Sequence, residues 1–522
     1  MAIQASVRRQ ILRNTLSGWG YKILKVALAI FSNPLLIAGL GKEGYALLAL
    51  LATLIGFSEL TDLGVRPALG RELAQARAEG NAAAFNRLVS SALAVYMGLF
   101  ALLGTALVLA TPTLARLMAG PGSPLTAEAL LLLRTYGLFA LAVAFVRPAF
   151  SAVLAAANRF DRRNQAESLF TLLQGLGIIA TLSLTDWGLA GWVGVTVVAQ
   201  LINLGQILYY AFRSQPGLRV GWAWVGMAEI RQLYAFGSLL FVSQWARKIK
   251  FDADPLVIAR YLGPAQVALY KPPHSLMANV RPLLTTFAGQ LYPVTTQLYA
   301  QGSLAQAQAL FLAASRYTLL LALPVAAFFG GYGPEIMHLW LGRVLTPAEV
   351  ALAGQVLAGW AFIELAVALE GSAWSVLFGQ KKVRFVIWVE VVAALLNIGA
   401  SVWLVQVTEL GLLAVVLPSI ALEAIIRPLY ALRAAQANQM PLGSALRGLY
   451  ARPLAVGLGL AALVIALRWA LPTYGWLWLA AHGSVLGLAF AGLVWAIGMP
   501  PAERATIKQL IQRRLPKHLP AK

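Results

Sequence analysis

The sequence lacks cysteine altogether and has few charged residues. Among its 522 residues there is no Cys, and Asp, Glu, Lys and Arg together make up only 12%. The absence of cysteine excludes disulfides and thiolate metal sites. An ordinary soluble domain is about 25% charged, whereas this chain is 59% hydrophobic and has a mean hydropathy of +0.72. These values are typical of a polytopic membrane protein.

Sequence motifs of nucleotide and zinc chemistry are also missing. There is no Gly-x-x-x-x-Gly-Lys-Ser/Thr loop and no His-Glu-x-x-His motif, and the four histidines are scattered singly. We therefore expect no ATP hydrolysis by this chain and no metal site. The longest loop predicted outside the membrane, residues 111–128, is too short to hold a catalytic domain. This disfavours a membrane-bound sugar polymerase or ligase, and we predict that the chain is not an enzyme.

Apolar runs long enough to cross about 30 Å of hydrocarbon recur along the chain. They predict an all-α, polytopic membrane protein with about 14 transmembrane helices. The predicted spans cover approximately residues 14–39, 45–65, 88–110, 129–155, 168–184, 191–212, 235–261, 266–291, 317–340, 350–378, 385–407, 410–432, 453–471 and 475–498.

The basic excess of the chain is explained by membrane topology. The net charge of +21 comes from 41 Lys and Arg against 20 Asp and Glu. With the N-terminus inside, most of the basic residues fall in cytoplasmic loops, and only Lys42, Arg116 and Arg343 fall in outside loops. The positive-inside rule accounts for this asymmetry, so no nucleic-acid partner is required. We expect both termini in the cytoplasm. Residues 503–515 are predicted either to form a basic amphipathic tail on the inner membrane surface or to be a solvated tail that stops transfer of the chain.

The seventh predicted span is unusually charged. Its charged residues are Arg247, Lys248, Lys250, Asp252 and Asp254. A charge at the centre of a span costs roughly 2.5–3.5 kcal/mol on insertion scales. If this segment did not cross, however, every later loop would change sides, and the basic loops from Arg316 onward would lie outside. The segment is therefore predicted to cross, with its charges facing a hydrated cavity or a ligand.

Two segments about 221 positions apart read nearly alike. Residues 34–41 (Pro-Leu-Leu-Ile-Ala-Gly-Leu-Gly) end the first span, and residues 255–263 (Pro-Leu-Val-Ile-Ala-Arg-Tyr-Leu-Gly) end the seventh. An even number of spans separates them, which predicts two parallel six-helix lobes related by a pseudo-twofold axis. The predicted domains are an N-terminal lobe (1–220), a C-terminal lobe (221–440), and two additional spans with the basic tail (441–522). Pro34 and Pro255 are predicted helix kinks.

Cations cluster on the spans that begin the two predicted lobes, and one more lies in span eight. The candidate anion-binding residues are Lys22, Lys25, Arg247, Lys248, Lys250 and Arg281. Residues three apart share a helical face, so Lys22 and Lys25 lie on one face of span one. Cations that face a common cavity would bind an anionic substrate.

Ion pairing within one helix is the competing explanation for these charges. The oppositely charged pairs spaced i,i+4 are Lys248–Asp252 and Lys250–Asp254. This is the spacing at which opposite charges neutralise each other on a helix. Lys22, only about 13 Å of helix beyond Arg13, has the alternative of extending its ammonium group to the membrane interface. Even with both explanations granted, Lys25, Arg247 and Arg281 are left over.

Acidic residues within the spans are open to two interpretations. Asp252, Asp254, Glu364 and Glu390 are candidates either for Na⁺ or H⁺ coupling or for charge pairing across helices. Glu423 and Arg427 are spaced i,i+4 and most simply pair with each other. No cofactor beyond a coupling ion is predicted.

Short motifs follow one another in order over most of the first twelve spans. They are Leu40-Gly41, Gly44-Tyr45-Ala46-Leu47, Asp62-Leu63-Gly64, Leu262-Gly263, Ala268-Leu269-Tyr270 and Leu291-Tyr292-Pro293. Because it contains these motifs in this order, the chain resembles the bacterial polysaccharide or O-antigen lipid flippases of the multidrug/oligosaccharidyl-lipid/polysaccharide exporter superfamily. Members usually read Tyr-Gly where this chain has Tyr45-Ala46.

The resemblance implies a transporter that alternates between inward-facing and outward-facing states in the bacterial inner membrane. Its substrate would be a polyprenyl-pyrophosphate-linked oligosaccharide for cell-surface polysaccharide biosynthesis, with O-antigen, capsule, exopolysaccharide and lipid II sugars all open. Its partners would be membrane lipids, a polysaccharide polymerase and glycosyltransferases. In such flippases spans one, two, seven and eight line a cationic cavity, which places the six candidate cations at the pyrophosphate.

A cation-coupled multidrug exporter of the same superfamily is the alternative. Such an exporter moves cationic compounds and would need an acid-dominated cavity. Spans one, seven and eight carry Lys22, Lys25, Arg247, Lys248, Lys250, Lys271 and Arg281 against Asp252 and Asp254. This balance favours the flippase.

Overall fold

The regular structure of this protein is helical, as predicted. The computed structural model describes the backbone of residues 2–58, 64–120, 122–289, 291–380, 382–471, 475–505 and 509. Its α-helices are α1 (Ala2–Ser58), α2 (Val65–Ala78), α3 (Ala82–Ala119), α4 (Thr126–Leu132), α5 (Leu138–Ala156), α6 (Phe160–Leu184), α7 (Gly188–Ser214), α8 (Met227–Asp252), α9 (Asp254–Tyr261), α10 (Pro264–Gly289), α11 (Leu291–Ala300), α12 (Leu304–Gly331), α13 (Gly333–Leu341), α14 (Pro347–Ala368), α15 (Ala373–Gly379), α16 (Val383–Val407), α17 (Leu413–Ala437), α18 (Leu442–Leu446), α19 (Arg452–Ala470) and α20 (Trp476–Leu493). Short π-helical turns, Leu133–Gly137, Arg447–Ala451 and Val494–Gly498, adjoin α5, α19 and α20, and Trp222–Trp224 is a 3₁₀ turn.

Eleven stretches in the described part of the chain are long and apolar enough to cross a membrane. The chain is therefore a multi-pass membrane protein. The first stretch, Leu16–Ser58, has 43 residues, well beyond the 20 or so that one crossing needs. Its backbone leaves helical values at Gly41, so it accommodates two of the predicted spans. The total of 14 spans stays a prediction.

The glycines of the two repeated Leu-Gly segments both have a positive φ. Gly41 has a φ of 69° and interrupts α1, and Gly263 has a φ of 93° between α9 and α10. A Cβ atom at either position would meet no atom within 4 Å. The left-handed backbone alone therefore favours glycine at both, and this agreement supports the repeat.

Replacing Gly263 with alanine should lower the free energy of unfolding by about 1–2 kcal/mol, because a left-handed backbone disfavours a Cβ atom. Gly41→Ala should behave in the same way. Gly98 is a matched control, since it is exposed within α3 and its Cβ would also meet nothing. Gly98→Ala should keep or slightly raise stability, because alanine is the better helix former. Thermal unfolding of the detergent-purified variants measures this, and equal melting temperatures for all three would contradict it.

The chain divides into two compact units. One, here the N-terminal unit, comprises Met1–Pro272 and Glu390–Val415, and the other, the C-terminal unit, comprises Pro273–Val389 and Val416–Lys522. These bounds differ from the predicted limits at residues 220 and 440. Compactness does not test a sequence repeat, so the two predicted lobes stay a prediction.

Small residues bring α1, α6 and α7 close together in the N-terminal unit. A Cβ on Gly175 of α6 would lie 3.0 Å from the side chain of Leu28 on α1. A Cβ on Gly191 of α7 would lie 2.3 Å from Thr181 of α6. Such residues let membrane helices approach closely. The polar side chains of these three helices are thereby held at short distances from one another.

The segments between and after the predicted spans differ in structure. The polar segment after span two forms α2. The outside loop predicted over residues 111–128 is shorter than expected, because α3 continues to Ala119 and α4 begins at Thr126. Most of the predicted basic tail, residues 503–515, lies outside the described residues.

Candidate functional site: a polar cavity in the N-terminal unit

The predicted seventh span consists of two helices, α8 and α9, which are separated at Ala253. Pro255 lies in the first turn of α9. Because proline has no N–H, it cannot bond the carbonyl of Phe251, which accounts for the interruption. Pro34 lies inside α1, but the backbone of α1 departs from helical angles at Gly41. A kink at Pro34 stays a prediction.

Lys248 and Asp252 form an ion pair along α8. Their Nζ and Oδ2 atoms are 2.8 Å apart, at the i,i+4 spacing that predicted this pair. Both side chains are about 30% exposed. The Lys248 Nζ atom also lies 3.4 Å from where a Cβ on Gly56 of α1 would be. The Lys248 charge is therefore neutralised beside the second half of α1.

Lys250 pairs with Glu390 of α16 and not with Asp254. The Nζ and Oε2 atoms are 2.7 Å apart, and the two side chains are 0% and 1% exposed. Asp254, also buried, accepts a hydrogen bond from the hydroxyl of Tyr270. The expected Lys250–Asp254 pair is wrong because α8 ends at Asp252, so the two residues do not lie on one continuous helix.

Arg281 is neutralised by Glu364 of α14 in the C-terminal unit. Its Nη2 and Nε atoms lie 2.6 and 2.8 Å from Glu364 Oε1. The guanidinium also lies over the ring of Trp360, 5.7 Å from its centroid, a cation–π contact. Pairing within one helix leaves Arg281 over, and its carboxylate comes from another span, in line with the charge pairing across helices that was one of the two interpretations of Glu364.

A second buried charge network stabilises the C-terminal unit. Arg427 bonds Glu423 within α17, as the i,i+4 spacing predicted, and also bonds Glu370. All three side chains are buried. Charges inside a membrane protein need partners of this kind, so this network has a structural explanation.

Three of the six predicted cations have no ion-pair partner in the described part of the chain. Lys22, Lys25 and Arg247 make no ion pair with any residue that the structure describes. Lys22 and Lys25 are exposed, and Arg247 is half-buried. The available positive charge is therefore smaller, and more concentrated on α1, than the sequence predicts.

A cavity of about 520 Å³ lies within the N-terminal unit among α1, α5, α6 and α7. Pockets for small ligands typically measure roughly 300–1,000 Å³. Its charged lining residues are Lys25, Arg147 and Glu167. Its neutral polar lining residues are Tyr21, Ser32, Tyr136, Thr171, Gln174, Gln200 and Asn203. Lys25, one of the candidate anion-binding residues from the sequence, therefore lines a cavity.

A second cavity, of about 390 Å³, adjoins the first and is more cationic. Tyr21, Arg147 and Glu167 line both cavities. The second cavity adds Arg66 at the start of α2 and Arg163 near the start of α6. Both of these arginines belong to the predicted cytoplasmic side. The positive charge of the lining therefore increases toward that side.

Arg147 and Glu167 form an ion pair in the wall that the two cavities share. The Arg147 Nη1 and Glu167 Oε1 atoms are 3.0 Å apart, and neither side chain is fully buried. Arg147 Nη1 also donates a long hydrogen bond to Asn203 Oδ1, at 3.5 Å. Arg147 thus contacts a carboxylate and an amide while it remains open to the cavity.

Positive charge dominates the described part of the lining of the two cavities. Among the residues that the structure describes, the basic lining residues are Lys25, Arg66, Arg147 and Arg163, and the acidic one is Glu167. Guanidinium groups present fixed pairs of N–H donors that match phosphate oxygens. The arrangement is therefore suited to an anionic group such as a phosphate.

Sequence reasoning did not select Arg147 or Glu167 as site residues. A signal for Arg147 was present, because an arginine before a proline recurs within predicted spans. These dipeptides are Arg147-Pro148, Arg281-Pro282 and Arg427-Pro428. Glu167 was just outside the predicted span 168–184. In the structure α6 begins at Phe160, so Glu167 lies about two turns inside this helix. The neutral amide residues of the lining, Gln174, Gln200 and Asn203, have no sequence pattern that marks them as site residues.

The region that holds both cavities matches a known family. A family model described as polysaccharide biosynthesis protein matches residues 11–299, which include every lining residue of the two cavities. No curated protein matches the chain at a significant level.

Several solved structures share this fold. The lipid II flippase MurJ, in an inward closed conformation, is 12% identical, with a TM-score of 0.70 over 95% of this chain and 99% of that one. An inward-facing multidrug resistance MATE family transporter of the MOP superfamily is 16% identical, with a TM-score of 0.67 over 80% of this chain and 99% of that one. A MOP superfamily transporter from Pyrococcus furiosus is 15% identical, with a TM-score of 0.56 over 82% of this chain and 96% of that one. These likenesses confirm the predicted transporter fold, and at such identities they show the fold alone.

Proposed function

The chain belongs to the polysaccharide biosynthesis protein family, and from that membership we propose that it is a flippase for a polyprenyl-pyrophosphate-linked oligosaccharide. It would carry this lipid across the bacterial inner membrane by alternating access, with both termini in the cytoplasm. The oligosaccharide would serve cell-surface polysaccharide biosynthesis, O-antigen included. Glycosyltransferases would supply the substrate on the cytoplasmic side, and a polymerase would use it on the other side.

The cationic lining of the two cavities is the observation that carries this proposal. A pyrophosphate is the anionic part of the proposed substrate, and Lys25, Arg147, Arg66 and Arg163 offer it charge-assisted hydrogen bonds. Arg147 is the best placed of them, because it lies in the wall that both cavities share. The lipid tail would stay in hydrocarbon while the sugar enters the polar space.

The other predicted cations receive different roles in this proposal. Lys22 and Arg247, which have no ion-pair partner among the described residues, remain candidate contacts to the pyrophosphate. Lys248, Lys250 and Arg281 serve mainly to neutralise the carboxylates they contact. The same pairs favour charge pairing over Na⁺ or H⁺ coupling for Glu364 and Glu390.

The fold itself does not separate a flippase from a multidrug exporter, because solved structures of both kinds are similar to this chain. The charge of the cavities supports the flippase. A cationic drug would meet Lys25 and Arg147, while Glu167, the acidic lining residue within the described part of the chain, is already paired. Like charges in a low-dielectric site repel strongly.

A deletion strain tests the function directly. Without this protein, polyprenyl-pyrophosphate-linked oligosaccharide should accumulate on the cytoplasmic side, and the intact gene should restore surface polysaccharide. Unchanged lipid-linked intermediates together with greater sensitivity to cationic drugs would instead establish the exporter.

Lys25→Ala should lower polysaccharide export roughly tenfold or more, because a hydrogen bond to a charged group contributes about 1.5–3 kcal/mol. Lys42→Ala is the matched control, since Lys42 lies after Gly41 in α1 and lines neither cavity. Surface polysaccharide per cell, at equal protein level in the membrane, measures the effect. Equal export by the two variants would rule out a contact at Lys25.

A further inference from the structure

One face of α7 presents neutral amides to the larger cavity. Gln200 and Asn203 are three residues apart, so they lie on the same side of the helix, and both line the cavity. Gln174 reaches the same region from α6, where its Nε2 atom donates to Thr196 at 3.3 Å. The cavity therefore has an uncharged polar part beside its cationic part.

Two of these amide atoms lack a hydrogen-bond partner within the described part of the chain. They are Gln200 Oε1 and Asn203 Nδ2, both shielded from solvent. Asn203 is only 2% exposed. A buried polar atom left unsatisfied costs about 1–3 kcal/mol, so such atoms call for an explanation. A ligand that offers both a donor and an acceptor would satisfy them.

The remaining contacts of these amides fix their orientation. Gln200 Nε2 donates to the Tyr136 hydroxyl at 3.1 Å, and the Tyr136 ring packs edge-on against Trp192 at 5.1 Å. Either orientation of the Gln200 amide leaves one of its polar atoms without a partner. Asn203 Oδ1 faces the Arg147 guanidinium, which leaves Asn203 Nδ2 as the free donor.

We propose that Gln200 and Asn203, with Gln174 beside them, form a carbohydrate subsite for the sugar attached to the pyrophosphate. This subsite rests on the proposed function. Sugar hydroxyls both donate and accept hydrogen bonds, as amides do, whereas a phosphate would favour the lysine and the arginines. Because Asn203 contacts Arg147, a pyrophosphate on Arg147 places its first sugar next to these amides.

The subsite would make the transporter selective among sugars. A site built to hydrogen-bond a hydroxyl strongly rejects a ligand that lacks it, because the buried polar groups then stay unpaired. The lipid and the pyrophosphate are common to all such substrates, so discrimination must come from contacts with the sugar. Gln200 and Asn203 supply such contacts without adding charge.

Binding to the purified full-length protein in detergent tests this subsite. The probes are undecaprenyl pyrophosphate and the same lipid carrying one hexose, one 6-deoxyhexose or one N-acetylhexosamine. The wild type should bind at least one glycosylated probe about tenfold or more tightly than the sugar-free lipid. Gln200→Ala should lose that preference while it binds undecaprenyl pyrophosphate as the wild type does. Asn203→Ala should also lose the preference, although its contact with Arg147 gives it a second route to weaker binding of the sugar-free lipid.

Gln206→Ala is the matched control. Gln206 lies on the same helix and also has an unpartnered buried oxygen within the described residues, but it lines neither cavity. Its substitution should keep the preference for sugar. The hydrogen bond of Gln200 goes to Tyr136, whereas Asn203 bonds Arg147, so Gln200→Ala remains informative if Asn203→Ala unfolds.

The outcomes separate the subsite from the proposed function. No binding of any undecaprenyl pyrophosphate by the wild type would overturn both. Binding without a preference for any glycosylated probe, or a preference that survives in both cavity variants, would overturn the subsite alone. An equal loss of sugar-free and glycosylated lipid in both variants would also overturn it, since that indicates a structural role.

Discussion

Arg147→Gln should lower translocation of a polyprenyl-pyrophosphate-linked oligosaccharide roughly 30-fold or more. The Arg147 guanidinium lies in the wall common to both cavities, and loss of one partner in a hydrogen-bonded charge contact costs about 2–5 kcal/mol. Each 1.4 kcal/mol corresponds to a factor of ten. The measurement uses proteoliposomes and a fluorescent lipid-linked oligosaccharide, whose outer-leaflet population is quenched with dithionite.

Companion variants separate substrate binding from support of the fold. Arg147 also neutralises Glu167, so the Arg147→Gln/Glu167→Gln double variant removes the pair without leaving a lone carboxylate. It should stay as slow as Arg147→Gln, whereas Glu167→Gln alone should keep translocation. Arg116→Gln, at the end of α3 and outside both linings, is the matched control and should resemble the wild type. Recovery of translocation in the double variant would show that Arg147 serves only to pair with Glu167.

Lys250→Gln should lower the free energy of unfolding by about 3–5 kcal/mol, because it leaves the buried Glu390 carboxylate without its 2.7 Å partner. Native proteins are stable by only about 5–15 kcal/mol, so the amount of folded protein in the membrane should fall severely. Glu390→Gln should have a similar effect. Fluorescence-detected size-exclusion chromatography after heating measures both.

The double variant and a neighbouring pair provide the controls for this prediction. Lys250→Gln/Glu390→Gln replaces two charges by amides that can bond each other, so it should recover much of the lost stability and keep transport. Lys248→Gln removes a partly exposed partner of Asp252 and should cost under about 1 kcal/mol. Equal losses from Lys250→Gln and Lys248→Gln would contradict the buried pair. A stable double variant that no longer transports would instead assign Glu390 to ion coupling.

The helical architecture could be predicted because each span carries its own signal in length and hydrophobicity. The same holds for contacts within one helix: the pairs Lys248–Asp252 and Glu423–Arg427 follow directly from i,i+4 spacing. The Leu-Gly repeat was also visible, and both of its glycines adopt a positive φ. Local patterns of this kind need no knowledge of tertiary packing.

Contacts between helices could not be predicted in this way. Lys250 lies 140 residues from Glu390, and Arg281 lies 83 residues from Glu364. No spacing rule connects residues on different spans, so these cations were assigned to the substrate although the structure pairs them. The amides of Gln200 and Asn203 escaped notice for a related reason. A neutral polar residue in an apolar helix becomes informative only when its neighbours on other helices are known.

Photo-crosslinking tests most directly the central claim, that the N-terminal cavity receives the lipid-linked oligosaccharide. Phe170 lines the larger cavity, and Phe212 of α7 is 46% exposed and lines neither cavity. Each would be replaced by p-benzoylphenylalanine in the full-length protein and irradiated with radiolabelled polyprenyl-pyrophosphate-linked oligosaccharide. We expect a saturable adduct at position 170 that excess unlabelled substrate suppresses, and no saturable adduct at position 212. A saturable adduct at 212 with none at 170 would contradict the claim.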